Sequence, residues 1–566
     1  MMSILLKVFS VTFLTCLLLL SATAMAQDPI TKSTLPDKDL RDEPLLRSKP
    51  LPLPPVPDLT RVGVEGGELS LTLDQAIRRA LESNNDIEVS RDNVRLAETT
   101  LQSLEGVYDP LVTFAPQFSL VRTPRVNSAG ETTNIPASVP IQTTSLSITP
   151  AITKQFSTGG GQYQFFFNSQ RGTANQGFTR LSPFYSTEIG ATFTQPLLRN
   201  RSIDQFRHDI RIQSKRLTQS DADFRLQVIN VISQVQFAYW ELVFARRNEQ
   251  NQLSNVNLAR EQLRMIEEQV SVGVSATLDR AQALTQIASA ETALLSATQA
   301  VTTAENVLKQ LILQNKSAAE WSNRIKPTDG PSLAATPINL KDALAEAYAN
   351  RPELRVLQQQ REINKIDKQF FKNQTLPRVD LQTTVFKYGL AGSLVPLTNP
   401  GSIDPLPANV VGGYGEALRN IGGLNTGTIV VGAAIEIPFR NKTAKANLAN
   451  ARIQGEQLVA TTQSQEQAVE ADVRNAVQGV DTSQRQLSTA RAATKSAEIQ
   501  LAGEMKRYQA GMSTTFLIFQ FEDQLVTART AELRAEANYN QALANLQRAT
   551  STTLRANQII VNVTRP

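Results

Sequence analysis

The 566 residues could hold several domains, but their patterning argues for one elongated body made of two halves. A formal net charge of +5, with acidic and basic residues interspersed, excludes the clustered basic face of a nucleic-acid binder. One cysteine and one histidine leave no disulfide framework, no thiol chemistry and no usual zinc set.

Residues 1–26 read as a secretory signal peptide: Lys7 in a short basic region, an apolar stretch from Val8 to Leu20, and Ala24-Met25-Ala26 before the cut. Cys16 lies inside that stretch with four leucines after it, whereas a lipid-bearing cysteine should end the apolar region. Removal of 1–26 leaves a chain without cysteine and with a charge balance of +4. No later run approaches eighteen consecutive apolar residues, so a mature chain that sits in a membrane must do so as a β-barrel.

Residues 27–68 are a Pro-rich extension, with Pro29, Pro36, Pro44, Pro50, Pro52, Pro54, Pro55 and Pro57 among charges. It is expected to be extended or disordered, either a plain linker or a strap along the protein or a partner. A helix opens at Thr72 with Leu73, Ala76, Ile77, Ala80 and Leu81 on one face. It breaks near Asn84-Asn85, resumes toward Leu104 and stops at Tyr108-Asp109-Pro110. From Val112 the period becomes two, predicting a strand over 111–122. A polar loop runs to about Pro140. Strand candidates at 145–152 and 162–168 flank Gly159, Gly160 and Gly161, and a further strand over 185–195 ends at Pro196, which cannot donate to a ladder.

A helical hairpin over 203–313 follows. Phe224, Val228, Val231, Val235, Ala238, Leu242 and Ala245 recur at 4,3 spacing, which keeps one seam on one face. The register resumes at Val256, Ala259, Leu263, Ile266 and Val270, turns at Gly273, and returns through Ile287, Ala290, Leu294, Ala297, Val301, Ala304, Leu308 and Leu311. At 1.5 Å per residue the outgoing arm reaches roughly 100 Å.

After a linker at 326–337 the sequence starts again. Leu340, Ala343, Leu344, Ala347 and Tyr348 stand 267 residues after Leu73, Ala76, Ile77, Ala80 and Leu81. Strands are predicted over 378–388 and 427–437, the second stopping at Pro438, and a second hairpin over 441–550 turns at Gly511. Its return arm carries Leu525, Ala528, Ala535, Tyr539, Ala542, Leu546 and Ala549, each 238 residues after its partner, with Glu532 the charged exception. The first unit thus spans 69–325 and the second 338–555, with a tail at 556–566.

Two strands per unit cannot close a barrel alone, and an open edge within a membrane leaves backbone groups unpaired, so the chain must oligomerise. The helices agree: Ala, Ser, Thr and Gln dominate, which suits the wall of a tube wetted on two sides rather than a solid bundle.

The duplicated unit, the strand ends Gln195-Pro196-Leu197 and Ile437-Pro438-Phe439, and the turns Val272-Gly273-Val274 and Ala510-Gly511-Met512 resemble the outer membrane efflux protein family, the TolC-like exit ducts, over about 69–555. The resemblance implies a mixed α/β membrane protein: a homotrimer whose twelve-strand β-barrel sits in outer-membrane lipid of a Gram-negative bacterium and continues as a twelve-helix α-barrel across the periplasm. It implies a passive exit duct for small molecules or polypeptides, in an efflux or type I secretion system, without cofactor or nucleic acid, engaged at its helix tips by a periplasmic adaptor and an inner-membrane pump. Counted this way, the hairpin around Gly159, Gly160 and Gly161 is an insertion beside four barrel strands per chain. A periplasmic coiled-coil structural or adaptor protein without a barrel is the alternative, opposed by the alternating strands and their Pro-terminated ends. An enzyme is disfavoured, since no Gly-rich phosphate loop or Ser-His-Asp set occurs and His208 stands alone on a polar helix.

By resemblance, Val272, Gly273, Val274, Ala510, Gly511 and Met512 are adaptor-contact positions; the glycines also permit tight turns. Asp279 and Tyr508 match polar positions of the family's periplasmic constriction. Ser513 stands where family members carry an arginine, and Leu517 and Gln520 where they carry aspartates. A ring of Asp279, one per protomer, concentrates cations, but a double ring is absent. The expectation is a mouth gated partly by apolar contact at Phe516 and Leu517, with weaker block by multivalent cations. Glu522 and Asp523 read as an exposed acidic face.

Overall fold

The computed structural model describes residues 60–65, 67–124, 140–174, 180–331, 338–395 and 406–560. The expected signal peptide, with Cys16, and nearly all of the Pro-rich extension lie outside the described residues, as do parts of the loop before Pro140, of the linker and of the C-terminal tail.

The chain enters through β1 (Glu68–Leu71) into α1 (Leu73–Ser83). The Thr72 hydroxyl accepts from the Gln75 amide at 3.1 Å and the Gln75 side chain accepts from the Thr72 amide at 3.1 Å, a reciprocal cap. Asn84 then caps α2 (Asn85–Glu105) by accepting from the Asp86 and Ile87 amides. The second half repeats the plan with α5 (Leu340–Asn350), capped by Asn339, and α6 (Pro352–Gln374), with Pro at its first turn.

Two helical hairpins dominate. α3 (Gln205–Ser271) and α4 (Thr277–Ile312) form the first; α8 (Lys442–Gln509) and α9 (Thr515–Ala549) form the second, followed by the short α10 (Thr553–Ala556). The return arms are about half as long as the outgoing ones. Nearer the sheet, α2 packs along α3 and α6 along α8, taking the place the return arm leaves. The predicted seams are buried, and the largest core forms where α1, α2, α3 and α4 meet around Ile77, Ile87, Val231, Val235, Leu242 and Leu308. One stretch of α3 is apolar enough by composition to cross a bilayer, but it is mostly buried inside this helical body.

The expected linker at 326–337 begins as structure. Its first residues belong to β8 (Arg324–Pro327), which pairs in parallel with β1. Glu305 pairs with Arg61 and accepts from the Ile325 amide, while Lys309 donates to the Trp321 carbonyl at 2.8 Å. These buried contacts fasten β8 and the segments just before β1 and β8 to α4, and a propensity reading of a Pro-rich connection contains no trace of them.

The main sheet contains β2 (Leu111–Thr113), β3 (Pro116–Thr123), β4 (Ile141–Ile148), β5 (Ala151–Gln155), β6 (Gln162–Ala174), β7 (Leu181–Pro196), β9 (Arg378–Leu394) and β10 (Thr428–Glu436). Interruptions at 114–115 and 149–150 face each other, so β2 with β3, and β4 with β5, each act as one bent strand. The antiparallel order is then β10, β9, β7, β6, β4/β5, β3/β2. This corrects the expectation that the hairpin at the three glycines stands beside the sheet: β5 and β6, which it joins, are built into the ladder between β3 and β7. The backbone donors of a strand pair need partners on both sides, and insertion into the ladder supplies them.

The ladder register sorts side chains onto two faces. One carries Phe118, Leu146, Ile152, Phe165, Phe167, Ile189, Phe193, Val385, Ile429, Val431 and Ile435. The other carries Gln164, Asn168, Gln170, Glu188, Thr192, Thr194, Gln382 and Thr384. On that polar face Gly190 admits two rings; a Cβ there would lie 2.7 Å from the Phe166 ring and 2.6 Å from Phe386 Cβ.

Candidate functional site at the hairpin tips

Both hairpins turn through the same backbone device. Gly273 has φ +78° and Gly511 φ +71°, in the left-handed region that costs other residues energy. Gly273 N–H donates to the Val270 carbonyl at 3.1 Å and Val274 N–H to Gln269 at 2.9 Å; Gly511 donates to Tyr508 at 2.9 Å and Met512 to Arg507 at 2.9 Å. This pair of bonds closes the helix end and projects the next side chain outward. Val272 is 73% exposed, Val274 76%, Met512 66% and Phe516 61%, so both tips end in bare apolar side chains. An apolar end on a long polar rod marks a contact surface.

Behind the tips, polar groups join the two hairpins. Asp279 uses one oxygen to accept from the Ala276 amide at 3.1 Å, capping α4, and the other to accept from the Thr515 hydroxyl at 3.2 Å, at the start of α9. The Tyr508 hydroxyl donates to Gln269 Oε1 at 3.1 Å, which also accepts from the Ser275 hydroxyl at 3.0 Å. The structure therefore brings Asp279 and Tyr508 into the inter-hairpin contact, around a cleft of about 660 Å³. Ser513 turns back within its own hairpin and donates to the buried Glu504. Leu517 is half-buried and Gln520 exposed; neither shares a hydrogen bond with the Asp279 cluster.

Glu522 departs from its reading as an exposed acid. It is 4% exposed, faces α3 and accepts from the Gln262 side-chain amide. Burial pushes its carboxyl up to about 7, the Gln262 hydrogen bond opposes that, and the neighbouring Asp523 adds to it. Asp523 is exposed and accepts from Gln286 at 2.7 Å. The signal was present in the repeat: Glu522 and Glu504 stand 238 residues after Leu284 and Ile266, apolar positions of the first hairpin. A carboxyl in an apolar register position needs a buried partner, and these two have Gln262 and Ser513.

The polar joint continues along α3 and α9. Asn251 donates to the Thr530 hydroxyl at 3.2 Å, Arg247 pairs with Glu536 at 2.8 Å and Arg534 with Glu241 at 2.7 Å. Each hairpin is closed inside by an apolar seam, whereas the two hairpins meet through these hydrogen bonds and ion pairs together with Phe519, which packs into the apolar cluster of the first hairpin around Leu263 and Ile287. Exchangeable polar contacts resist relative movement less than a packed seam does.

His208 sits at the other end of α3. Its ring bonds to Asp209 at 2.9 Å and Asp367 at 2.8 Å and lies 4.3 Å from the Phe370 ring, fastening α3 to α6. Burial disfavours the charged ring, but the two carboxylates outweigh it and hold its pKa above the ordinary value. Among the described residues no group of three or more His, Cys, Asp or Glu side chains converges as a metal site.

The sequence profile of the outer membrane efflux protein family matches residues 162–312 and 343–552, more than half of the chain. The fold resembles solved outer-membrane channels. The CmeC outer membrane channel of Campylobacter jejuni aligns with TM-score 0.59 at 15% identity, over 86% of this chain and 89% of that one. The MtrE outer membrane channel of Neisseria gonorrhoeae, in its open state, aligns with TM-score 0.55 at 17% identity, over 84% and 88%. A membrane protein from Pseudomonas aeruginosa aligns with TM-score 0.59 at 16% identity, over 84% and 93%. No curated protein sequence matches the chain.

Proposed function

The chain belongs to the outer membrane efflux protein family, and we infer from that premise how copies of it assemble. It is the outer-membrane exit duct of an efflux system in a Gram-negative bacterium, reaching into the periplasm; it is a channel and not an enzyme. We propose that three copies close one barrel. The observation that carries this is a sheet whose two apolar edges, β3 at one side and β10 at the other, have no strand partner among the described residues. Such edges are not tolerated in lipid. Six strands alternating in direction leave the edges pointing oppositely, so β3 of one copy meets β10 of the next antiparallel. Three copies then make about eighteen strands rather than twelve, continued by a tube built from the four long helices of each chain.

In the same reading the apolar tips around Gly273 and Gly511 dock a periplasmic adaptor, which couples the duct to an inner-membrane pump. Asp279, Tyr508 and Gln269 hold the hairpins together when the mouth is closed, and Phe516 and Leu517 narrow it. Opening exchanges the polar contacts between hairpins while the seams within each stay packed.

The test uses the absence of any cysteine after Cys16. Val121→Cys on β3 combined with Val430→Cys on β10 is expected to cross-link neighbouring copies into a covalent trimer in outer-membrane fractions. Monomers alone, with and without heating, would overturn the assembly.

A further inference from the structure

Past the end of β10 the sheet is finished by a helix. β10 reaches only as far as Thr428, opposite Phe386, while β9 runs on to Leu394. Helix α7 (Tyr414–Gly423) lies over that overhang. Three side-chain and backbone groups satisfy the bare edge of β9: Thr426 bonds Tyr388, Asn420 donates to the Leu390 carbonyl at 2.8 Å, and Gly412 N–H donates to Gly392 at 3.0 Å. The Thr187 hydroxyl donates to the Ala417 carbonyl at 2.9 Å, and a Cβ on Gly389 would lie 2.1 Å from that same oxygen. The seat is built for this helix.

Its side of the sheet decides its role. Thr187 shares a face with Ile189 and Phe193, and its ladder partners Ser169 and Gly389 share it too. α7 therefore rests on the apolar face. At this level three consecutive strands present a serine, a threonine and a glycine, so the apolar band stops there. α7 covers them and turns Leu418 outward, 39% exposed, while Tyr414, 40% exposed, lies along the sheet with its hydroxyl accepting from the Ser169 hydroxyl at 3.1 Å. The Tyr414 ring packs on Tyr185 at 6.1 Å, an aromatic pair at the rim of the band. Glu416 and Arg419 pair at 2.7 Å on the same helix.

We propose that α7 is an interfacial helix that completes the lipid-facing surface of the barrel and seats at the headgroup boundary of the outer leaflet. An amphipathic helix with aromatic and aliphatic residues toward acyl chains and charges beside them takes this position, and aromatic residues girdle barrels at the same depth. The inference rests on the sheet being the wall of an outer-membrane barrel. It assigns α7 a direction: this part of the β9–β10 connection folds outward over lipid and leaves the polar lumen face uncovered.

Nitroxide labels at Leu418→Cys, Ile189→Cys and Thr192→Cys, each in the full-length channel reconstituted in phosphatidylethanolamine–phosphatidylglycerol vesicles, test it. Collisions with oxygen report lipid and those with a water-soluble nickel chelate report water. Position 189 is expected to favour oxygen, 192 nickel, and 418 oxygen at a shallower depth, with an oxygen-to-nickel ratio several times that at 192. Adding Gly389→Val, which evicts α7 from its seat, is expected to shift 418 toward nickel. A label at 418 that favours nickel as strongly as 192, or is shielded from both because a second copy covers it, overturns the proposal. If 189 and 192 report alike, the barrel reading itself falls and the proposal with it.

Discussion

At the first tip the helix after the turn starts with a carboxylate cap, Asp279 on the Ala276 amide; at the second, Leu517 stands 238 residues on and Thr514 precedes an uncapped start. The first tip keeps apolar side chains at Ile266 and Leu284 where the second places Glu504 and Glu522. One tip thus carries its acid beside the turn, and the other carries its acids inside the helix packing. The turn glycines and the serines that donate back to the preceding helix, Ser275 to Gln269 and Ser513 to Glu504, are common to both. The difference teaches that duplication preserved the turn and redistributed the charge. The first tip holds its neighbour through Asp279, while the second holds through a carboxyl that titrates.

The largest effect should come from that carboxyl. Glu522 has its pKa raised to about 7, from an ordinary 4.5, so the folded state favours the neutral form. Its contribution to stability is complete below the unfolded value and is lost as pH rises through about 7. The contact between α3 and α9 near the tips should therefore loosen progressively from about pH 4.5 to about pH 7 and change little above that. Glu522→Gln mimics the neutral acid and should abolish that dependence, keeping the low-pH behaviour throughout. Amide exchange near Ile518 and Phe519, followed against pH in both proteins, checks this; an unchanged slope in the variant places the titration elsewhere.

Next in size is the capping carboxylate. Asp279→Ala removes a cap worth about 1 kcal/mol and a hydrogen bond to Thr515 worth about 1 kcal/mol. Leu517→Ala, at the matching position, removes half-buried apolar surface worth about 1 kcal/mol. Only the first should loosen the opposite hairpin. Faster amide exchange at Phe516 is expected in Asp279→Ala and not at Leu278 in Leu517→Ala; a symmetric response would erase the distinction between the tips.

The comparison can also be reversed. Leu517→Asp gives the second tip the mouth carboxylate it lacks. In water a nearby charge contributes about 1 kcal/mol, roughly a fivefold change in affinity. Single-channel recording with a trivalent cation on the periplasmic side should show block tightened to about that degree. Block already at nanomolar concentration in the unaltered channel contradicts a mouth with a single acidic ring.

Much of this was legible because the helices and strands announce themselves by period. The seams through Val228, Val235 and Leu242, and through Val469 and Val473, lie in the cores the spacing implies. The period of two from Val112 runs through β2 and β3. What the local pattern did not contain was pairing: that β5 and β6 lie inside the ladder, that Arg324–Pro327 answers Glu68–Leu71, and that α7 finishes the β9 edge depend on contacts far apart in the chain. Asp279, Tyr508 and Ser513 are named by resemblance, and the structure sets the first two in the contact between the hairpins, whereas the pairings of Gln262 with Glu522 and of Glu504 with Ser513 have no counterpart in that reading. Setting the repeats side by side exposes the latter two, since each places an acid on an apolar register position.

The smallest difference is expected at the glycines, and it isolates the backbone from everything else. Gly273 and Gly511 both have positive φ, and a Cβ at either would meet nothing within 4 Å. Alanine at either position therefore costs only the left-handed conformation, about 1 kcal/mol, or roughly fivefold in local opening. The N–H groups of Val274 and Met512, which close the two turns, report that opening directly. Equal acceleration of their exchange in Gly273→Ala and Gly511→Ala means that the asymmetry resides in Asp279, Glu504 and Glu522. If one glycine variant accelerates exchange tenfold more than the other, the turns themselves differ in tension, and the charge pattern follows from the backbone rather than the reverse.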